Sequence, residues 1–187
     1  KVNGNNQFAE NRQQHYNNMV EKIVEEIFSN YGDWAMVWFD GGAHGPEQGG
    51  PDVLSVFEKY QPNCLFYHNL QRADMRWGGS ETGTVSYPCW GTFPYPSTGA
   101  GESAKKALLK HGDPVGEYYM PAMSDAPLRG HGGHDWFWEP DREHIIYPLE
   151  NLVEMYYNSV GHNTTLILGV TPNPDGLIPE ADAKRLR

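Results

Sequence analysis

The chain has 187 residues, of which 39% are hydrophobic, 13% aromatic and 20% charged; that length suits one domain or a piece of one, and the apolar content excludes a disordered polymer. Its 14 Lys and Arg against 24 Asp and Glu give a net charge of −10 with His neutral, which excludes phosphate backbones as partners, because binding them needs clustered Lys and Arg. No apolar run approaches the roughly 20 residues that span a bilayer, so a membrane-spanning helix is excluded as well.

Residues 1–10 are polar and predict an extended lead-in, and with Lys1 in first place any targeting leader is expected to have been removed already. A helix is predicted over 11–30, where Met19, Val20, Ile23, Val24, Ile27 and Phe28 recur at helical spacing. Asn30-Tyr31-Gly32 ends it. The apolar run 34–39 shows no alternation and reads as a strand buried on both faces, ending at Asp40-Gly41-Gly42. A short helix over 51–60 opens at Pro51, and a second strand covers 63–68. A long loop rich in Gly, Pro and aromatics is predicted over 69–113, then a third strand over 115–120. Another loop runs through Trp136 and Trp138. An amphipathic helix over 145–160 is expected to bury Leu149, Leu152, Val153, Tyr156 and Val160. Thr165-Leu166-Ile167-Leu168 reads as a fourth strand, and a last helix starts near Pro179. The two cysteines, Cys64 and Cys89, are too few for a disulfide framework and are expected as free thiols.

Helix and strand alternate, so the class is α/β with parallel strands. The Trp, His and carboxylate residues gather in loops after strand C-terminal ends, where sites assemble in (β/α)8 barrels and doubly wound sheets. A full barrel takes roughly 250 residues, so this chain has room for about half of one.

Two carboxylates carry the chemistry. Asp40 sits at the tip of the first strand, with glycines after it that leave space for a ligand. Glu81 lies in the loop after the second strand. Two carboxylates flanking a glycosidic bond are the equipment of glycoside hydrolysis, and nearby Trp and Tyr rings suit a sugar's C–H faces. A metal hydrolase using His44, His131 and His134 beside Asp40 is the chemical rival. It is set aside because the loop histidines have no helix to fix them, and no metal or cofactor is expected. A non-catalytic sugar-binding module built on Trp77, Trp90, Trp136 and Trp138 is the other rival. Asp125, after the third strand, is expected either to hydrogen-bond within the site or to cap a loop.

Taken in order, Trp38-Phe39-Asp40-Gly41, the segment from Asp74 through Arg76-Trp77-Gly78-Gly79-Ser80-Glu81 to Gly83, Trp136-Phe137-Trp138, Val160-Gly161-His162-Asn163 and Leu166 to Pro172 with Asp175-Gly176-Leu177-Ile178 resemble glycoside hydrolase family 29, the α-L-fucosidases. The resemblance runs from about residue 15 to the C-terminus and is nearest to the branch with an Arg-Trp-x-Gly-x-Glu segment. His162 departs from it, standing where family members usually carry Arg.

The resemblance implies a (β/α)8 TIM barrel of which this chain, as a single partial catalytic domain, forms roughly the second half. The N-terminal half, with its fucose-binding histidines, would come from a separate or missing segment. It implies a retaining exo-α-L-fucosidase acting on a fucosylated glycan, with an α-L-galactosidase as the close alternative. Asp40 takes the place of the nucleophile and Glu81 that of the general acid/base. Trp38 and Arg76 match pocket-forming positions, and Trp77, His44 and Trp136 are set beside them as sugar-binding residues. Retention requires the two carboxyl groups about 5–5.5 Å apart. Asp40 must be ionised to attack, and Glu81 must begin protonated, in surroundings expected to be desolvated by Trp77 and Trp90.

Overall fold

The structure is a computed structural model that describes residues 7–69, 71–98 and 103–187. The chain divides into two compact units, Lys1–Arg76 with Tyr95–Glu102, and Trp77–Pro94 with Ser103–Arg187. No helix among the described residues is long and apolar enough to cross a membrane. Cys64 and Cys89 are both buried, and neither forms a disulfide among the described residues.

The first unit is a βαβ-type assembly preceded by a long helix. Helix α1 spans Gln7–Asn30, strand β1 Met36–Ala43, helix α2 Val53–Tyr60 and strand β2 Leu65–Asn69. Residues 7–10, predicted as extended lead-in, are helical, and residues 1–6 of that prediction lie outside the described residues. Strands β1 and β2 run parallel, with Met36 opposite Leu65, Val37 opposite Phe66 and Trp38 opposite Tyr67. Of the predicted α1 stripe, Val24 and Phe28 reach the core, Val20 and Ile27 pack partly against it, and Met19 and Ile23 stay exposed.

Aromatic packing holds the core of this unit. Phe28 meets Phe57 edge-on at 5.8 Å, and Phe57 meets Phe66 at 4.5 Å. Burying such a ring stabilises the fold by about 1.5–3 kcal/mol. Buried Gln61 ties the end of α1 to the strand that follows. Its Nε2 donates to the carbonyls of Phe28 (2.7 Å) and Gly32 (2.9 Å), and its Oε1 accepts from the Trp34 N–H (3.0 Å). One amide thus satisfies a carbonyl left open in the last turn of the helix and the Gly32 carbonyl just beyond it. Helix α2 is opened by Asp52, whose side chain accepts from the Ser55 N–H, a standard N-cap bond.

The second unit carries a three-stranded sheet in the order β3 (Arg76–Trp77), β6 (Ala122–Pro127), β7 (Thr164–Gly169). A two-stranded ribbon pairs β4 (Thr92–Phe93) with β5 (Tyr118–Tyr119), and the helices are α3 (Ser103–His111), α4 (Leu149–Tyr157) and α5 (Glu180–Leu186). Strands β6 and β7 are parallel and in register from Ala122–Thr164 to Pro127–Gly169. The predicted fourth strand and last helix are present as β7 and α5.

Three expectations fail in this unit. The strand predicted over 115–120 is not a parallel core strand: Tyr118 and Tyr119 pair antiparallel with β4 and are both exposed. The core strand is β6 instead, and all six of its residues are buried. Its sequence Ala-Met-Ser-Asp-Ala-Pro lacks the β-branched and aromatic residues that mark strands, so its strand state comes from neighbours on both sides. Helix α3 falls within the stretch predicted to be loop. Lys110 and His111 suit its C-terminal dipole, and Gly112 closes it in a left-handed conformation, its N–H bonded to the Leu108 carbonyl at 2.7 Å.

The face predicted for the helix over 145–160 is also misassigned. Within this unit α4 buries Met155, and the following Ser159 is fully buried; Leu149, Val153, Tyr156 and Val160 stay exposed. The inward side is fixed by close approach, since a side chain at Gly83 would lie 2.9 Å from the Met155 sulfur.

Candidate active site

Asp40 is not at the end of β1. The strand runs through it to Ala43. Between Trp38, opposite Tyr67, and Ala43, opposite Asn69, the register with β2 shifts, so four residues of β1 face one of β2. Such a bulge bends a strand and re-aims a side chain. Asp40 lies inside it and is exposed. The residues before it are anchored: the Trp38 ring lies 5.8 Å from Tyr67 and the Phe39 ring 5.4 Å from Phe66. The Trp38 indole N–H is buried without a hydrogen-bond partner among the described residues.

His44 follows β1 and is exposed. The turn beyond it is tight, with the Gly50 N–H on the Gly45 carbonyl at 3.0 Å. A Cβ on Gly50 would sit 2.0 Å from the His44 carbonyl oxygen, so only glycine fits there. Asn17 of α1 braces this turn by donating to the Gly49 carbonyl at 3.0 Å. Arg76, the first residue of β3, is fully buried.

In the second unit the structure brings together Glu81 and Trp136, with His134 between them. The Glu81 Oε2 lies 2.5 Å from His134 Nε2, and the Trp136 Nε1–H points at that same nitrogen from 3.1 Å. The loop bearing Glu81 is stitched to β6 on either side of it. The Gly78 N–H donates to the Met123 carbonyl (2.8 Å), and the Gly83 N–H to the Asp125 carbonyl (2.9 Å). Within this unit the Glu81 side chain keeps 48% of its surface and meets His134. Trp136 is seated over Gly169, where a Cβ would come within 2.8 Å of the indole Cζ3.

Trp77 is half-buried and donates its Nε1–H to Asp125 Oδ1 at 2.7 Å. Asp125 lies within β6 rather than after a strand, and is 2% exposed. Of its two expected roles, hydrogen bonding is the one observed. The bond fixes the plane of the Trp77 indole.

The loop that carries His134 is held by arginines. Arg142 grips Asp135 with two bonds, at 2.9 and 3.1 Å. Hydrogen bonding from Arg142, more than its charge, holds the Asp135 carboxyl below its ordinary range. Arg129 grips Asp182 of α5 at 3.0 and 2.7 Å, with both side chains buried, and also donates to the Glu139 carbonyl at 3.2 Å. His131 turns its ring to Tyr147, 5.8 Å away. His162, which departs from the family pattern, lies against Tyr87 at 5.2 Å. Sequence reasoning weighed His134 as a rival metal ligand, set that aside for a polar loop role near the sugar, and did not pair it with Glu81. Its partner is 53 positions away, and no local pattern signals such a pair.

A family model described as Alpha-L-fucosidase matches residues 2–187. "Alpha-L-fucosidase 1" of Arabidopsis thaliana is 31% identical over 175 residues, which are 91% of this chain and 33% of the relative. A crystal structure from Bacteroides thetaiotaomicron VPI-5482 that carries the alpha-L-fucosidase name is 58% identical, with a TM-score of 0.93, over all of this chain and 44% of its own. A Ruminococcus gnavus GH29 fucosidase solved in complex with fucose is 25% identical, with a TM-score of 0.71, over 91% of this chain and 36% of its own. The chain thus spans a third to under half the length of these relatives.

Proposed function

The chain belongs to the alpha-L-fucosidase family, and from that premise we propose that it supplies the catalytic carboxylates of a retaining exo-α-L-fucosidase acting on fucosylated glycans. The observation that carries the reading is the pair of exposed carboxylates in motif positions: Asp40 in the bulge of β1, and Glu81 on a loop stitched to β6. Each is mounted on parallel-strand scaffolding of its own unit, where a (β/α)8 barrel places its chemistry. We assign all 187 residues to one catalytic domain, the later half of such a barrel. The fraction of each relative that the chain covers supports further sequence in the whole enzyme, and to that sequence we assign the N-terminal half.

The reaction proceeds in two displacements. Asp40, ionised, attacks the anomeric carbon, and the C–O bond to the leaving group breaks. The proton of Glu81 goes to the departing oxygen. In the second step Glu81, now ionised, takes a proton from water. The water oxygen bonds to the anomeric carbon and the ester to Asp40 breaks, restoring both groups. We assign Trp38, Arg76, His44, Trp77 and Trp136 to binding the sugar, with Trp77 held by its hydrogen bond to Asp125. No step calls for a metal or cofactor.

The stereochemistry of azide rescue tests both roles. In the active enzyme containing this chain, Glu81→Ala with an activated aryl fucoside should yield fucosyl azide of retained configuration, since azide needs no base. Asp40→Gly should yield the inverted product by a single displacement. The opposite pairing, or no rescue of either variant, would remove the assignment.

A further inference from the structure

The contact between Glu81 and His134 has a feature that the two-carboxylate scheme leaves unused. A histidine Nε2 has one in-plane site, either a lone pair or an N–H. Here two groups address it: the Glu81 carboxyl at 2.5 Å and the Trp136 indole N–H at 3.1 Å. The indole can only donate. If Nε2 is bare, its one lone pair can take the Trp136 N–H or a proton on Glu81 Oε2 but not both, and in the latter case that proton is aimed into the imidazole and away from any leaving group. The ionised carboxylate of the second step would then face a lone pair. If Nε2 carries the hydrogen, it donates to Oε2 whether Glu81 is protonated on its other oxygen or ionised. Only this second arrangement serves both displacements.

Resting on the acid/base role proposed for Glu81, we infer that His134 is a positioning residue: its Nε2–H holds Oε2 of Glu81, so that Oε1 alone gives the proton to the leaving group and takes one from water. The Trp136 N–H, displaced from the nitrogen it points at, then serves a ligand hydroxyl. The surrounding braces fit this task. His134 is half-exposed, so little of the fold depends on it. The next residue, Asp135, is clamped by Arg142 and tied through its backbone N–H to the Arg129 carbonyl at 3.2 Å. Gly169 of β7 leaves the space in which Trp136 sits. The loop is therefore built to hold one side chain steady over Glu81.

The experiment uses the active enzyme with His134→Ala, His134→Gln, Glu81→Ala and the double variant Glu81→Ala/His134→Ala, each first shown to melt as the parent does. His134→Ala should lower kcat by about 10–100-fold, the cost of a misplaced reacting group, with KM nearly unchanged. Azide should restore part of that loss, giving fucosyl azide of retained configuration. His134→Gln, whose amide N–H reaches the same place, should recover most of the rate. The double variant should be no slower than Glu81→Ala alone, because residues acting as a unit are not additive. A His134→Ala rate within about twofold of the parent, a loss that azide leaves untouched, or an additive double variant would each overturn the positioning role while leaving the acid/base role of a rescued Glu81→Ala intact. A Glu81→Ala enzyme of parental rate would remove the acid/base role and the inference with it.

Discussion

The two carboxylates are mounted in opposite ways. Asp40 sits on a strand, in a bulge whose preceding residues are fixed by aromatic contacts to β2. Glu81 sits on a loop, and its carboxyl meets His134 of a second loop, which is held by ion pairs. The difference follows from what each must do in the proposed reaction. A nucleophile has to strike one carbon along one line, and a strand backbone over packed rings suits that. An acid/base has to release and recover a proton, so a polar partner has to hold one oxygen and leave the other free.

The contrast breaks most visibly at Asp40. Asp40→Asn keeps the shape and removes the charge that attacks, so kcat should fall by at least about 10⁴-fold while the melting temperature barely moves. An Asn variant with parental turnover would mean that the bulge presents no nucleophile. The second carboxylate should be vulnerable from a distance. Asp182→Ala leaves Arg129 buried without its bidentate partner, and removing one half of such a pair destabilises by about 3–5 kcal/mol. Denaturant unfolding measures it, and a loss under about 1 kcal/mol, the worth of an exposed pair, would show that the loop does not depend on that anchor.

The same contrast governs what could be read from the amino-acid order alone. The first unit was legible almost throughout, because α1, β1, α2 and β2 each advertise themselves by local periodicity or an unbroken apolar run. Asp40 was legible as a strand-end carboxylate, but the continuation of β1 to Ala43 was not, since a bulge is defined by its partner strand. In the second unit β7 and α5 were visible and β6 was not. Ser124 and Asp125 look like loop residues until β3 and β7 flank them. Glu81 and Trp136 stood out by motif, whereas His134 acquires its meaning only when two loops meet. The stripe Leu149, Val153, Tyr156 and Val160 marks a helix correctly and its buried side wrongly, because Gly83 and Met155 choose the inward face.

A milder perturbation sharpens the comparison by moving a ring instead of a charge. Gly169→Ala places a methyl 2.8 Å from Trp136 Cζ3. Overpacking of this kind costs about 1–3 kcal/mol, and here the indole is the part able to give way. The expected result is a modest loss of stability with a raised KM, since Trp136 is proposed to contact sugar. Unchanged KM in Gly169→Ala would place Trp136 outside the pocket.

The smallest effect is expected at the outer brace, and its sign is fixed by Asp135. Hydrogen bonds from Arg142 lower the Asp135 carboxyl from its ordinary value of 3.8. A carboxyl lowered on folding adds stability above its unfolded value and loses it as pH falls through the folded one. Arg142 stays charged throughout, so the contribution should be complete from neutral pH down to about pH 5 and fade below about pH 4. Asp135→Asn removes the titrating group. The stability gap between parent and variant, followed by thermal unfolding against pH, should therefore be level above that window and close as the pH falls through it. The pair is surface-accessible, so added salt should narrow the gap at neutral pH. A gap that widened on acidification would mean that Asp135 is held by something other than the Arg142 fork, and the bracing of the His134 loop would have to be sought at Arg129.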